Sequence, residues 1–333
     1  MPRDILYSIK NLNVEYKTRA GPVGAVDDVS MDIYRGEILG LVGESGCGKS
    51  TLGKALMRLH TGPAEITNGE LWFDGRDLIT LSDNEMADLR GAEIGMIFQD
   101  PMTSLNPVQR IVDHLIETIQ THEPETSDQA AEARSEELVE SLGIRRERLK
   151  EYPHQMSGGM RQRVMISLAL ALNSKLVIAD EPTTSLDVIV EYQFLDLLHE
   201  LRDEFGLTIM LITHNIGVVA EIADRLAVMY AGKLVEIGDC FGCFASPKHP
   251  YTQGLLQSVP NIKLDGGDLY KMKGEPPNLL RPPSGCRFHP RCPQVMDICR
   301  IEEPPFEPVE GADQMTACWL YQDIPVSQEV DHA

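Results

Sequence analysis

Gly43-Glu44-Ser45-Gly46-Cys47-Gly48-Lys49-Ser50-Thr51 sets glycines, a lysine and hydroxyls at the spacing G-x-x-x-x-G-K-[ST]. Residues of these types at this spacing bind phosphate. The glycines let the backbone curl until several N–H groups converge on phosphate oxygens, at angles a Cβ would obstruct. Lys49 adds a point charge, and Ser50 a hydroxyl able to ligate Mg2+. The apolar run Glu37-Ile38-Leu39-Gly40-Leu41-Val42 reads as a buried strand before the loop. Thr51 to Leu59 reads as a helix whose N-terminal dipole faces the phosphates. This strand and helix separate a P-loop from a fortuitous glycine turn.

Other residues that could do chemistry stand at the ends of apolar runs. Leu176-Val177-Ile178-Ala179 is a strand pattern ending in Asp180-Glu181-Pro182. Beside a phosphate loop, the first acid can hold Mg2+ through its water and the second can polarise an attacking water. Thr208 to Thr213 is a further strand with His214 at its tip. A lone histidine is more often structural, but this one would face the nucleotide side of the sheet. Ile94 to Phe98 is a strand that ends on Gln99. Ser157-Gly158-Gly159, before the apolar helix Val164 to Leu172, offers helix-end N–H groups to an anion or is an ordinary capped start. Tyr16 lies on a ribbon preceding the phosphate-loop strand. Its ring either stacks on a purine or is simply a half-buried strand tyrosine.

A sheet must position these groups, and the rest of the chain supplies one. Ile5 to Ile9, Leu12 to Tyr16 and Val23 to Tyr34, punctuated by Ala20-Gly21-Pro22, read as antiparallel strands joined by a turn. Gly69 to Asp74 reads as another strand. From Val108 to Leu142 and on to Tyr152 the pattern is helical, divided by the loop Thr121 to Ser127. The length of 333 residues allows two domains, and 42% hydrophobic with 24% charged residues is globular. A net charge of −21, from 51 acidic against 30 basic residues, excludes a general nucleic-acid binder and would suit a salt-rich source. With no signal peptide and no run of about 18 apolar residues, the chain is expected neither to cross a membrane nor to enter the secretory route by itself. Seven cysteines alongside nucleotide chemistry point to a reducing cytoplasm rather than a disulfide framework.

Together these residues resemble the ATP-binding subunit of an ABC transporter. The P-loop Gly43 to Thr51, Gln99 as the Q-loop, Ser157-Gly158-Gly159 as the signature, Asp180-Glu181 closing the Walker B strand, Ser185-Leu186-Asp187 as the D-loop and His214 as the switch follow in that family's order. The resemblance implies an α/β fold: a P-loop NTPase (RecA-like) core with an antiparallel β subdomain, a helical subdomain and a small loop-rich C-terminal extension. It implies that two such subunits clamp two ATP molecules, the P-loop of one facing the signature of the other. It further implies that Tyr16 stacks on adenine, and that Lys49 with the loop amides holds the phosphates. Ser50, Gln99 and Asp180 would serve Mg2+ or its waters, Glu181 would orient or activate water, and His214 would contact the γ-phosphate. No active-site position is lost, so a competent ATPase is expected. Met156 and Met160 flank the signature where Leu and Gln are common, and Asn215 follows the histidine where many relatives carry Asp.

Phe98-Gln99-Asp100-Pro101-Met102-Thr103-Ser104-Leu105-Asn106-Pro107, Asp180 to Val188 and Pro247-Lys248-His249-Pro250-Tyr251-Thr252 resemble the oligopeptide, dipeptide and nickel importers. That branch implies peptide as first choice of cargo, with nickel or oligosaccharide as alternatives. It implies a related second ATPase in a heterodimer, two transmembrane permease subunits, an extracytoplasmic substrate-binding protein and a peripheral place on the cytoplasmic face of the membrane. The expected division is a nucleotide-binding domain over 1–240, its helical subdomain at about 100–173, and the extension over 241–333.

The tail also carries Cys286, Cys292, Cys299 and Cys318 in a proline-rich, weakly periodic stretch. Loops too poor in apolar residues for a core need a clip, and four thiolates supply one. Their spacing names no metal. The resemblance implies a [4Fe–4S] cluster, ahead of zinc and of unligated thiols. Cys240-Phe241-Gly242-Cys243 is expected to follow a strand rather than open a helix, as two incidental thiols. Cys47, inside the phosphate loop, would make nucleotide binding sensitive to thiol reagents. A soluble ABC ATPase of DNA maintenance is the non-transport alternative, but no sustained heptads fill the span between P-loop and signature. A non-enzymatic scaffold conflicts with the intact Glu181 and His214.

Overall fold

The computed structural model describes residues 3–60, 62–100, 104–184, 186–258 and 272–323. Ser185 of the expected D-loop lies outside them, as do residues 101–103 of the stretch after Gln99. The described residues form two sheets. In the first, β1 (Ile5–Thr18), β2 (Gly21–Tyr34), β4 (Ala64–Phe73) and β5 (Arg76–Asp77) pair antiparallel in the order β2-β1-β4-β5.

The second sheet holds β3 (Ile38–Val42), β6 (Ile94–Ile97), β7 (Leu176–Asp180), β8 (Thr208–Thr213), β9 (Arg225–Tyr230), β10 (Lys233–Asp239), β11 (Glu307–Pro308) and β12 (Gln314–Thr316). Its order is β11-β12-β10-β9-β3-β8-β7-β6. From β9 to β6 neighbours run parallel, and β10 to β11 close that edge antiparallel. Parallel pairing buries both faces, which is why these strands read as unbroken apolar runs rather than alternations.

Alternate residues of each central strand enter different cores. Leu39, Leu41, Ile178, Met210 and Ile212 face the antiparallel sheet and the helix Lys49–Leu56. Ile38, Val177, Ala179, Ile209 and Leu211 face the helices Ile111–His122, Gly158–Leu170 and Val188–Phe205. A third core joins Val42, Val228 and Tyr230 to Tyr251 and Phe288 of the tail. Gly40 is required for packing: a Cβ there would stand 2.3 Å from Val219 Cγ1, so the helix Ile216–Ile222 could not press onto β3.

The expected P-loop α/β core and antiparallel subdomain are both present. Some boundaries differ for local reasons. Ile5–Ile9 and Leu12–Tyr16 belong to one strand, because Asn11 at φ 47° absorbs a bulge that shifts the register between Ile9 and Leu12. The signature helix begins at Gly158, not Val164, since the Ser157 hydroxyl caps it by accepting from Met160 N at 3.4 Å. Cys240 does open a helix, Cys240–Ala245, contrary to expectation: the Asp239 carboxylate accepts the Gly242 N–H at 3.0 Å and caps it. Both thiols of that turn are buried, and burial pushes Cys240 up to about 11 and Cys243 up to about 12. Burial and raised thiol pKa values are the marks of structural cysteines rather than of a reactive thiolate.

Candidate nucleotide site

β3 delivers the chain into Gly43–Gly48, and the helix Lys49–Leu56 leaves it. The loop's glycines are fixed by space as well as by backbone angle. A Cβ at Gly43, φ 157°, would lie 2.1 Å from Met229 O, and one at Gly48, φ 107°, 2.0 Å from Ala25 O. Lys49 is buried, and its ammonium donates to the carbonyls of Gly43 at 2.8 Å and Glu44 at 3.1 Å, spanning the curl. Ser45 and Gly46 complete the turn between them, Gly46 at φ 78°. Cys47 is 4% exposed and burial raises its thiol above the usual range, so the expected sensitivity to thiol reagents is not supported. Tyr16, half buried on β1, places its hydroxyl 3.1 Å from the Thr51 hydroxyl, which ties the ribbon to the helix start.

The carboxyl ends of the neighbouring strands bring the acids to this loop. Ser50 donates its hydroxyl to Asp180 Oδ1 at 2.7 Å. Burial pushes the Asp180 carboxyl up, with the Ser50 bond and the Lys54 and Lys49 charges pulling against it. A serine hydroxyl beside a buried carboxylate is the oxygen-donor set that Mg2+ prefers.

Glu181 follows at φ 46°, a strained conformation that turns its side chain off the strand line. Its N–H is held by Ile212 O at 2.8 Å. Three side chains meet its Oε2: Gln99 Nε2 at 3.2 Å, Thr184 Oγ1 at 3.1 Å and His214 Nδ1 at 3.4 Å. Gln99, Glu181 and His214 come from the ends of three strands and form one cluster. Thr184 went unnoticed in the sequence because a hydroxyl three residues from an acid carries no signal by itself.

Ser157, Gly158 and Gly159 lie elsewhere. They open a cleft with Met160, Arg161, Leu186, Asp187 and Val190, and no residue of the phosphate loop lines it. Gly159 packs against the next helix, where a Cβ would come 2.8 Å from Val190 Cγ1. Gln162 behind the glycines is buried, and neither of its amide atoms has a hydrogen-bond partner among the described residues. Val188, Ile189 and Tyr192 stand exposed on the neighbouring helix.

In the tail, Cys286, Cys292, Cys299 and Cys318 all line one small cavity with Phe288 and Trp319. No disulfide forms among them, and burial pushes Cys286 up to about 11 and Cys318 up to about 12. Among the described residues, no group of three or more His, Cys, Asp or Glu is arranged to hold a metal ion. The four thiols share a cavity lining, but this arrangement does not support the expected iron–sulfur cluster.

Residues 26–184 match the ABC transporter family model, and 235–299 match the model of the oligopeptide/dipeptide transporter C-terminal region. The dipeptide transport ATP-binding protein DppD of Bacillus subtilis is 46% identical over 98% of this chain and 96% of its own length. The oligopeptide transport ATP-binding protein OppD of Escherichia coli is 46% identical over 95% and 93%. The chain belongs to this family of ABC transporter ATP-binding subunits. The dimeric structure of MJ0796, a bacterial ABC transporter cassette, superposes with a TM-score of 0.63 at 28% identity, over 70% of this chain and 98% of that one. A post-hydrolysis state of the same cassette, bound to ADP and Pi, matches equally. This family member is an ATPase. Its family works with membrane permeases and substrate-binding proteins. Among the described residues no helix is long and apolar enough to cross a membrane.

Proposed function

We propose that this subunit hydrolyses ATP to power the import of peptides, seated on the cytoplasmic face of the membrane beneath two permease subunits and paired with a second, related ATPase. An extracytoplasmic binding protein would deliver the cargo. The observation that carries the catalytic half is the meeting of Gln99, Thr184 and His214 on the Glu181 carboxylate, beside the Ser50–Asp180 pair and the phosphate loop. Peptide as cargo rests on the relatives' names, and the division into a cassette over 1–240 and an extension over 241–333 is part of the same reading.

In this account Lys49 and the amides of Gly43, Ser45, Gly46, Cys47, Gly48, Ser50 and Thr51 cradle the phosphates, and Tyr16 packs on the adenine. Ser50, Gln99 and Asp180 would hold Mg2+ directly or through its waters, and when bound it would supply positive charge against the charge that builds on the phosphate oxygens. Glu181, held by Gln99 and Thr184, accepts the proton of a water whose oxygen bonds to the γ-phosphorus. The bond to the bridging oxygen breaks, releasing ADP and phosphate. His214 steadies the γ-phosphate from the strand tip. Ser157, Gly158 and Gly159 serve the nucleotide of the neighbouring cassette, which fits their separation from this chain's own phosphate loop. E181Q tests the assignment: it should bind ATP as the parent does and stop turnover, and brisk hydrolysis by that variant removes Glu181 from the role.

The finer reading of the tail is that Cys286, Cys292, Cys299 and Cys318 hold a [4Fe–4S] cluster, zinc being the alternative. Thiols pushed up by burial lose their protons on binding metal, which a thiolate site requires. Iron and acid-labile sulfide in anaerobically purified protein support the cluster. Colourless protein with stoichiometric zinc selects the alternative.

A further inference from the structure

Glu44 is the second residue of the phosphate loop, and groups from the far end of the chain hold it. Arg291 grips its carboxylate with both terminal nitrogens, Nη1 to Oε2 at 2.7 Å and Nη2 to Oε1 at 2.9 Å. The Arg291 side chain is 5% exposed. The Tyr251 hydroxyl accepts the Glu44 backbone N–H at 2.8 Å. Arg291 is itself fixed: Nη1 reaches the Tyr230 hydroxyl at 3.3 Å, Nε donates to Lys273 O at 3.1 Å, and its guanidinium carbon lies 5.8 Å from the centre of the Tyr230 ring. Tyr230, Tyr251 and Phe288 pack on one another in tilted and edge-on pairs, so this support has little freedom to move.

A carboxylate inside a loop that receives a triphosphate repels it unless a cation is bound beside it. A planar, bidentate guanidinium is the group best suited to cancel that charge while keeping the carboxylate still. We propose that Arg291 is a positioning residue for nucleotide: it neutralises Glu44 and, with Tyr251, holds the start of the phosphate loop in its binding shape. The tail is thereby part of the nucleotide site. The inference rests on the reading of Gly43–Thr51 as the nucleotide loop.

Binding of a fluorescent ATP analogue to the full chain tests it at low and high salt, with thermal melts alongside. R291M keeps the stem's packing but removes the charge. It should bind about tenfold more weakly, with the deficit shrinking as salt screens Glu44 and turnover at saturating ATP close to that of the parent. R291K should fall between parent and R291M. Adding E44Q to R291M should restore affinity to within about twofold at every salt concentration while the melting temperature stays near that of R291M, a split that a purely structural ion pair, whose double variant regains stability and affinity together, does not produce. Parent-like affinity in R291M, or an E44Q/R291M double variant no better than R291M, overturns the proposal. K49A separates the two claims: if it loses nucleotide while R291M does not, only the inference fails, whereas parent-like binding by K49A removes the loop reading beneath it.

Discussion

The phosphate-loop half of the site and the signature half are built differently. Around Gly43–Thr51 every strong group is satisfied within the chain: Lys49 on two carbonyls, Ser50 on Asp180, Glu44 on Arg291 and Tyr251. At Ser157–Gly159 the cap is satisfied, but the cleft opens outward, Gln162 lies buried without a partner among the described residues, and Val188, Ile189 and Tyr192 stand exposed nearby. A half preorganised within the chain beside an open one fits a shared site, in which the first holds its own nucleotide and the second completes its contacts only against a neighbouring cassette.

Variants on the two halves can break this contrast. In the finished half, K49A should lower ATP affinity by about 100-fold or more, as truncating a buried charge partner does; near-parent binding in a nucleotide titration would erase the distinction. E181Q should cut turnover by on the order of 100-fold to 10,000-fold while nucleotide titrations stay unchanged. In the open half, Ser157→Arg should reduce turnover of the assembled complex by about 100-fold yet shift the isolated subunit's ATP affinity by no more than about twofold. Equal loss of binding from K49A and Ser157→Arg would show that one chain holds both halves together.

A smaller effect concerns the support under the finished half. His249 caps the helix Pro250–Gln257, its Nδ1 accepting the Tyr251 N–H at 3.0 Å, and burial pulls its pKa from 6.5 to about 3. The unfolded chain takes up a proton near 6.5 and the folded chain does not, so this contribution is complete above that pH and is lost as pH falls toward 3. The loss approaches about 1.4 kcal/mol per pH unit well below the unfolded pKa. Glu236, which accepts the His249 N–H, works with the opposite sign because burial raises its carboxyl: its share is lost as pH rises through the raised value. Melting temperatures from pH 7 to 5 should therefore fall less steeply for H249N than for the parent. Parallel curves would show that His249 is not held neutral.

Much of the finished half was legible in the sequence because its residues are fixed by local geometry. The glycines at 43 and 48 reveal positions with no room for a Cβ, and Asp180, Glu181 and His214 sit where strands end. The antiparallel subdomain was legible from alternation, although the bulge at Asn11 hid the continuity of β1. What stayed hidden was long-range. Arg291 and Glu44 are 247 positions apart, and no periodicity or spacing links them. β11 and β12, at two and three residues, are too short for alternation to register, so the attachment of the tail to the sheet edge was equally invisible. The Cys240 helix was missed because a single aspartate cap outweighed a short, glycine-containing run.

The central claim is that the signature of one cassette closes over the nucleotide bound by another. A photo-crosslinker at position 157, in the assembled transporter carrying E181Q, tests it directly. With ATP and Mg2+ present, the adducts should map to the phosphate loop of the neighbouring cassette and vanish when nucleotide is withdrawn. Adducts confined to the same chain, or unchanged by nucleotide, would contradict it.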